Sequence, residues 1–139
     1  FLEYINLSEK TKDSFKEGWF LTGDVAMLEK GYFKLLGRDS VDIIKSGGYK
    51  ISALEIEDVL LKNPKIKECA VVGLSDNKWG EIVGAAIVIR ENNIKIDEIQ
   101  EWCSNYLSEY KIPRKIKVLN ELPKNTMGKI IKTKLRNIL

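Results

Sequence analysis

Residues 42–55 read Asp42-Ile43-Ile44-Lys45-Ser46-Gly47-Gly48-Tyr49-Lys50-Ile51-Ser52-Ala53-Leu54-Glu55. The run begins as an apolar strand, turns at a Gly-Gly pair that can adopt positive φ, and returns as a second extended segment. Ser52 and Glu55 form a capping box, because the hydroxyl can accept from the first turn of a helix while the carboxylate reaches back. A helix therefore follows at once and ends before Pro64. Its inward residues are predicted to be Ala53, Ile56, Val59 and Leu60.

Towards the C-terminus the pattern alternates irregularly between strands and helices. Two strands are predicted at 66–74 and 81–90, and a helix begins near Asp97. We interpret the apolar stripe of this segment as core rather than as a cofactor site; it comprises Ile99, Trp102, Cys103, Tyr106, Leu107 and Tyr110. A last strand, 116–119, and a short helix, 133–139, complete the region. The alternation predicts an α+β fold with helices packed on a small mixed sheet.

Towards the N-terminus, two apolar runs flank Glu29-Lys30-Gly31 and predict a β-hairpin. Gly37-Arg38-Asp39-Ser40 interrupts this pattern, and the composition changes after it. We therefore predict a domain boundary there, which divides the chain into residues 1–40 and 41–139.

Composition narrows the chemistry that the chain can carry. With 139 residues, of which 44% are hydrophobic and 31% charged, it can bury a core and is expected to be soluble. No apolar run approaches the roughly 18 residues that a membrane helix needs. The chain contains no His, which excludes His-based triads within it. Cys69 and Cys103 lack metal-ligand spacing, so we interpret both as reduced core residues and predict no metal ligand.

The net charge of +3 is distributed unevenly. From Lys111 onwards there are nine basic residues and one acidic residue, Glu121. Such a surface is either a solvated lysine-rich face or a site for a polyanionic small molecule, such as a nucleotide or coenzyme A. No aromatic residue is interleaved with the basic ones after Tyr110, which argues against nucleic acid as a partner.

Three side chains are candidates for chemistry. Asp24 ends Leu21-Thr22-Gly23-Asp24, where its carboxylate can bind the vicinal hydroxyls of a ribose or cap its own turn. Arg38 offers a planar fork of donors to ribose or phosphate oxygens, or to a surface ion pair. Lys129 lies in Pro123-Lys124-Asn125-Thr126-Met127-Gly128-Lys129-Ile130 as a mobile charge that can meet a phosphate or a carboxylate, or remain solvated.

Taken in order, these motifs resemble the C-terminal part of the AMP-forming acyl-CoA synthetases, within the adenylate-forming superfamily. The matching segments are Gly18-Trp19-Phe20-Leu21-Thr22-Gly23-Asp24, the run from Gly37-Arg38 to Glu57, and Gly128-Lys129. The likeness covers nearly the whole chain. For residues 41–139 it implies the mobile C-terminal domain of these enzymes. For residues 1–40 it implies a β-hairpin remnant of the N-terminal adenylation domain, followed by the hinge.

The resemblance also implies roles for individual residues. Asp24 and Thr22 would belong to the site that holds the ribose of ATP, and Arg38 would contact the adenylate there. Lys129 would be the catalytic lysine, which reaches the acyl carboxylate and the α-phosphate during adenylation. One loop would line the tunnel for the pantetheine arm of coenzyme A; it comprises Ser46, Gly47, Gly48 and Tyr49.

The hinge is where the chain departs from the family pattern. An Asp or Lys usually stands two residues after the Arg, whereas this chain has Ser40 there and one extra residue before the Gly-Gly pair. The hinge is therefore Ser40 or Val41, and Asp42 takes the place of the second acidic residue of the usual pair. We interpret Glu55 and Glu57 as structural, the first as a capping residue and the second as a surface residue.

The activity implied by the resemblance is that of an AMP-forming acid–CoA ligase. A carboxylic acid and Mg-ATP would give an acyl-adenylate and pyrophosphate, the C-terminal domain would rotate, and the thiol of coenzyme A would then displace AMP. In this family the phosphate loop and the acyl pocket lie in the N-terminal domain, so the fragment alone is expected to be inactive and to bind no Mg²⁺. Three runs look more like malonyl-CoA synthetases, which suggests malonate or another small or medium acid; they are residues 40–45, 78–81 and 125–129.

Other assignments remain open from the sequence. A peptide-synthetase adenylation domain or a luciferase-like oxidase would share the motifs, although the chain ends ten residues after Lys129 without a carrier domain. A non-catalytic binding module of the same fold would be free to lose Lys129, which is present here. The chain begins at Phe1 without Met or a visible leader, so we expect a piece of a longer intracellular protein, cytoplasmic or mitochondrial. Its expected partners are the acid, ATP, coenzyme A and its own N-terminal domain, with no nucleic acid and no membrane span.

Overall fold

The computed structural model describes residues 1–90 and 94–139. Its main body is a five-stranded mixed sheet, preceded by two small hairpins. The elements in chain order are α1 (Ser8–Asp13), β1 (Phe15–Lys16), β2 (Trp19–Phe20), β3 (Asp24–Glu29), β4 (Tyr32–Arg38), β5 (Ile43–Ser46), β6 (Tyr49–Ser52), α2 (Ala53–Leu61), β7 (Ile66–Asp76), β8 (Gly80–Ile89), α3 (Ile96–Ser104), a 3₁₀ turn (Glu109–Lys111), β9 (Lys115–Val118) and α4 (Lys132–Ile138). Within the described ranges, no helix is both long and apolar enough to cross a membrane.

The large sheet is built around β8. This strand pairs antiparallel with β7 and parallel with β9. β5 meets the beginning of β8 at a single pair, Ser46 opposite Gly80, and β6 lies beyond β5. A side chain completes the β5–β8 junction, since Glu81 Oε2 accepts from the backbone N–H of Lys45 at 2.7 Å. The prediction of a small mixed sheet with packed helices is confirmed.

The sheet is covered on both faces, because successive residues of β7 and β8 point to opposite sides. The larger core lies under α2 and α3 and includes Ile44, Ile51, Ile56, Leu60, Val71, Val83, Ile87 and Ile99. The smaller core lies between the other faces of β7 and β8 and the C-terminal segment with α4; it includes Ala70, Val72, Ala86, Val88, Leu122 and Leu135. All four residues predicted to point inward from α2 are buried.

The capping box at the beginning of α2 forms only in half. Ser52 Oγ accepts from the N–H of Glu55 at 3.3 Å, as predicted. The Glu55 carboxylate does not return to Ser52; both of its oxygens lie 2.8 Å from Lys111 Nζ. Glu55 pairs with Lys111 rather than with the N–H of Ser52 because charge-assisted hydrogen bonds are roughly twice as strong as neutral ones. The Ser52 hydroxyl also donates to the carbonyl of Leu36 at 2.6 Å, which joins β4 to α2.

The apolar stripe predicted for the α3 region is core only in part. α3 ends at Ser104, and its buried residues are Ile99 and Cys103. The prediction is wrong for Tyr106 and Tyr110, which are 57% and 41% exposed. The chain leaves the helix after Ser104, so the 3.6-residue period no longer applies and Tyr110 lies in the separate 3₁₀ turn.

The hairpin of β3 and β4 forms at the predicted turn. Lys30 and Gly31 have φ of 50° and 84°, the left-handed conformations that a two-residue hairpin turn requires. The strands extend further than predicted, to Asp24 and Arg38. Several large apolar side chains of this hairpin are exposed, namely Met27, Leu28, Tyr32, Phe33 and Leu35.

Candidate functional site

Asp24 and Arg38 face each other at the open end of the β3–β4 hairpin. They are cross-strand partners, and Arg38 Nε lies 3.4 Å from Asp24 Oδ1. Thr22 Oγ1 accepts from the N–H of Asp24 at 3.1 Å, and Gly23 has a φ of 77°, so the turn orients the carboxylate. Both charged side chains are partly exposed and keep acceptor and donor capacity for a ligand. The structure thus brings the three predicted nucleotide-binding residues together.

A tight turn follows β4 and contains both hinge candidates. The N–H of Asp42 donates to the carbonyl of Arg38 at 2.8 Å, and Asp42 Oδ2 accepts from the N–H of Arg38 at 3.0 Å. Gly37 has a φ of 120° and no room for a side chain, because Asp42 folds over it. Ser40 is exposed within the turn and Val41 is half-buried. The two hinge candidates therefore lie between Arg38 and Asp42, which hydrogen bonds join to each other.

A cleft with a volume of about 290 Å³ opens beside the Gly47-Gly48 turn. Tyr49 and Tyr110 stack in it, with ring centroids 4.5 Å apart and an interplanar angle of 18°. The Arg114 guanidinium lies 5.0 Å from the ring centroid of Trp79. Exposed aromatic faces beside a guanidinium suit a flat, negatively charged ligand such as a nucleotide.

The Gly-Gly turn and Trp79 are held against each other. The N–H of Gly47 donates to the carbonyl of Trp79 at 2.9 Å, and a Cβ at Gly47 would lie 2.9 Å from the indole ring. Asp76 orders the Trp79 turn, since its Oδ1 accepts from the N–H groups of Lys78 and Trp79 at 2.9 Å each. The hydrogen bonds from Trp79 and Lys78 hold the pKa of Asp76 below its usual value, so the acceptor stays charged.

The sequence predicts one wall of this cleft and misses the others. The predicted loop supplies Ser46, Gly47 and Tyr49, whereas the structure adds Trp79, Glu109, Tyr110 and Arg114. Tyr110 is missed because its spacing matches the stripe of α3. The polar loop around Trp79 carries a usable signal, because a Trp flanked by Asp, Asn, Lys and Gly has few apolar neighbours to pack with.

Lys129 lies in a separate hairpin, residues 123–131. Asn125 Oδ1 accepts from the N–H groups of Met127 and Lys129 at 3.0 and 2.9 Å. The N–H of Asn125 donates to the carbonyl of Lys129 at 2.8 Å, and Gly128 closes the turn with a φ of 80°. The Lys129 side chain is exposed. The backbone is therefore fixed while the amine can extend to a ligand.

The Lys129 hairpin and the aromatic cleft lie at opposite ends of β7. Lys124 of the hairpin forms an ion pair of 2.6 Å with Glu68, near the beginning of the strand. Gly80, which follows Trp79, pairs with Asp76 at its end. The eight steps from residue 68 to residue 76, at about 3.3 Å each, correspond to roughly 26 Å. In any single orientation, the large sheet therefore cannot bring both the Lys129 hairpin and the aromatic cleft to the same point.

Glu57 is not a surface residue, contrary to the sequence interpretation. Its carboxylate is 15% exposed, and its Oε1 lies 2.8 Å from Lys132 Nζ. The same oxygen accepts from the N–H of Val71 at 2.8 Å. The misassignment arises because its partners come from β7 and α4, far away in the sequence.

The cysteines lie in the core, as predicted. Cys69 and Cys103 are free and buried. Burial raises the pKa of Cys69 to about 12, with a smaller contribution from the charge of Glu57, and burial raises that of Cys103 to about 11. Over residues 1–90 and 94–139, no group of three or more Cys, Asp or Glu side chains is placed to hold a metal ion.

Comparison with known protein families shows the family of the chain. Residues 55–129, more than half of the chain, match the AMP-binding enzyme C-terminal domain. The chain belongs to this family. The resemblance to the C-terminal part of AMP-forming acyl-CoA synthetases is thereby confirmed.

Relatives from three organisms show how much of a longer protein the chain represents. The malonate–CoA ligase of Arabidopsis thaliana is 45% identical over 100% of this chain and 25% of its own length. The mitochondrial malonate–CoA ligase ACSF3 of Homo sapiens is 45% identical over 97% of this chain and 24% of its own. The structure of o-succinylbenzoate CoA synthetase (MenE) from Bacillus subtilis, in complex with the acyl-adenylate OSB-AMP, is 37% identical with a TM-score of 0.88, over 96% of this chain and 28% of that protein. The chain thus spans about a quarter of the length of the relatives that it matches.

Proposed function

We propose that the chain is the C-terminal part of an AMP-forming acid–CoA ligase and that it serves both half-reactions of the enzyme. In this proposal, residues 1–40 are the end of the N-terminal adenylation domain plus the hinge, and residues 41–139 are the C-terminal domain. Family membership and the two relatives named as malonate–CoA ligases support the reaction class.

In the first half-reaction, a carboxylic acid attacks the α-phosphate of Mg-ATP, and an acyl-adenylate and pyrophosphate form. Asp24 binds the ribose hydroxyls from the turn shaped by Thr22, and the guanidinium of Arg38 lies close enough to share that ligand. Lys129 neutralises the negative charge that develops between the carboxylate and the α-phosphate. Charge stabilisation of this kind in a closed site changes rates by about 100–1,000-fold.

In the second half-reaction, the thiol of coenzyme A attacks the acyl carbonyl and AMP leaves. The adenine ring of coenzyme A stacks in the aromatic cleft with Trp79 and Tyr110, and Arg114 binds its phosphates. The pantetheine arm passes the Gly47-Gly48 turn, where glycine allows close approach of the backbone. This cleft is the observation that carries the proposal, because stacking faces, a guanidinium and an adjoining bare turn match a nucleotide with an extended arm.

The C-terminal domain turns about Ser40 or Val41 between the two half-reactions. The roughly 26 Å between the Lys129 hairpin and the cleft supports this motion, since only a rotation can bring each in turn to the same substrate. Rotation at Ser40 or Val41 changes few backbone angles, and it breaks the hydrogen bonds between Arg38 and Asp42 that close this turn.

The substrates of the intact enzyme are ATP with Mg²⁺, coenzyme A and an acid, which we propose to be malonate or another small or medium acid. The names of the two relatives at 45% identity favour malonate. The chain alone is expected to be inactive, because it lacks a Gly/Ser/Thr-rich phosphate loop. The mitochondrial human relative supports an intracellular location, either cytoplasmic or mitochondrial.

The test uses the full-length enzyme that contains this chain. ATP–pyrophosphate exchange is measured with malonate, methylmalonate, acetate and octanoate, and thioester formation is measured after coenzyme A is added. Exchange stimulated by one acid, followed by its thioester, is the expected result. No exchange with any of these acids, from a folded protein that binds ATP, contradicts the proposal.

The cleft is tested with two variants in the same enzyme. Trp79→Ala and Tyr110→Ala are each expected to raise the KM for coenzyme A about tenfold, because stacking on a base contributes ~1–3 kcal/mol. The effect on pyrophosphate exchange should be much smaller. Tyr106→Ala is the matched control, since Tyr106 is an exposed tyrosine of the same segment that does not line the cleft. If the KM for coenzyme A is unchanged in both cleft variants, the cleft does not bind the adenine ring and has another role.

A further inference from the structure

Lys132 lies between two carboxylates in the interior of the protein. Its Nζ is 2.7 Å from Asp42 Oδ1 and 2.8 Å from Glu57 Oε1. The three side chains are only 11%, 16% and 15% exposed. Taking three charges out of water is costly, and the cost is offset only where the geometry is good and further hydrogen bonds satisfy the remaining lone pairs.

Each carboxylate is also fixed from a second direction. Asp42 accepts from the N–H of Arg38, and Glu57 accepts from the N–H of Val71. Burial alone would raise the pKa of Asp42, but the hydrogen bonds from Lys132 and Arg38 and their positive charges together hold it below its usual value. The Asp42 carboxylate therefore stays charged, and the cluster joins four parts of the fold: the turn after β4, α2, β7 and α4.

The cluster is attached to the base of the Lys129 hairpin. Lys132 is the first residue of α4 and follows Lys129 by three positions. The hairpin is closed below Lys129, because Ile130 bridges to Lys124 and the N–H of Ile131 donates to the carbonyl of Pro123 at 2.8 Å. Among the residues that the structure describes, no side chain caps the beginning of α4, and the buried ion pairs of Lys132 add to the Ile131–Pro123 hydrogen bond in holding this end of the helix.

We propose that Lys132 is a positioning residue for adenylation, which fixes the base of the Lys129 hairpin to the hinge turn through Asp42 and to α2 through Glu57. Rotation at the hinge then carries Lys129 as part of a rigid body. This inference rests on the role proposed for Lys129. Lys132 touches no reacting group, so its loss acts through Lys129 and reduces the first half-reaction more than the second.

The test compares the two half-reactions in the full-length enzyme. ATP–pyrophosphate exchange reports adenylation, and thioester formation from supplied acyl-adenylate and coenzyme A reports the second step. Lys132→Met keeps the apolar stem without the charge and is expected to lower kcat for exchange about tenfold or more, with thioester formation within about twofold. Lys132→Arg keeps the charge and should restore most of the exchange. Equal losses in the two half-reactions overturn the inference.

Further variants keep the inference testable where Lys132→Met fails to fold. Asp42→Asn and Glu57→Gln each remove one charge with little change in shape, and each is expected to reduce exchange more than thioester formation. In a protein that carries either of these substitutions, Lys132→Arg should not restore exchange, because the three charged groups act as a unit. Lys134→Met is the matched control, an exposed lysine of the same helix, and is expected to change neither step. A loss in Lys134→Met as large as that in Lys132→Met contradicts the inference.

Lys129→Ala, measured in parallel, separates the two proposals. Unchanged exchange in Lys129→Ala removes the role of Lys129, and the proposed use of the hairpin fails with it. If Lys129→Ala abolishes exchange while Lys132→Met affects both half-reactions alike, the proposed function stands and the positioning role fails.

Discussion

Asn125 sets the backbone of the Lys129 hairpin with a single oxygen. Its Oδ1 accepts two backbone N–H groups, and a methyl group cannot replace either contact. Each lost hydrogen bond costs ~1 kcal/mol, so Asn125→Ala is expected to lower kcat for ATP–pyrophosphate exchange in the full-length enzyme about five- to tenfold. Asn125→Asp is the control, because a carboxylate oxygen can accept from both donors. If Asn125→Asp lowers kcat as much as Asn125→Ala does, the acceptor oxygen at this position does not control the activity.

The two thiols should be chemically inert while the protein is folded. With the pKa of Cys103 raised to about 11, about one thiol in a thousand is ionised at pH 8, and fewer are ionised for Cys69 at about 12. We expect neither cysteine to react with Ellman's reagent during the minutes in which an unfolded sample reacts completely. Labelling of either residue in the folded protein on that timescale, located by mass spectrometry, would show that the core opens there.

At the scale of elements, the β5–β6 turn depends on Trp79. Gly47 and Gly48 both have positive φ, 56° and 85°, so Ala at either position carries backbone strain. Only at Gly47 would the new methyl group also meet the indole, since a Cβ at Gly48 would have none of the described residues beyond its chain neighbours within 4 Å. Gly47→Ala should therefore raise the KM for coenzyme A about fivefold more than Gly48→Ala, a difference of ~1 kcal/mol. Equal KM values of the two variants would show that binding of coenzyme A does not depend on the present position of the Trp79 indole.

Elements specified by neighbouring residues are those that the sequence predicts well. The turns at Gly31 and at Gly47-Gly48 follow from φ preferences, and the cap at Ser52 follows from one side chain and one N–H. Tyr110 and Glu57 are misassigned because the partners that decide their positions, Tyr49 and Lys132, are distant in the sequence. The Gly-Lys motif similarly marks Lys129 without indicating what supports it.

At the scale of the whole molecule, the Lys132 cluster should make stability depend on acidic pH. Asp42 faces Lys132 from α4 and Arg38 from β4, with Glu57 on the other side of Lys132. Because the folded pKa of Asp42 is lowered, its contribution to stability is present above the unfolded pKa of ~3.9 and is lost as the pH falls through the folded value.

Asp42→Asn is therefore expected to reduce the free energy of unfolding by ~2 kcal/mol at pH 7, with a difference from the parent that narrows below about pH 4. Urea unfolding of the full-length protein at pH 7, 5 and 3 measures this difference. A difference that stays constant across this range means that the carboxylate charge of Asp42 does not contribute to stability.

The separation of the Lys129 hairpin from the aromatic cleft along β7 bears on the order of events in time. In the proposed reaction, one end of the sheet is turned towards the N-terminal domain while the other faces away, so adenylation has to be complete before coenzyme A can react. The acyl-adenylate of the proposed reaction is a reactive anhydride, and it would have to survive the proposed rotation without meeting water. Domain rotations generally take microseconds to milliseconds, and under the proposed function this time sets the shortest useful lifetime of the intermediate.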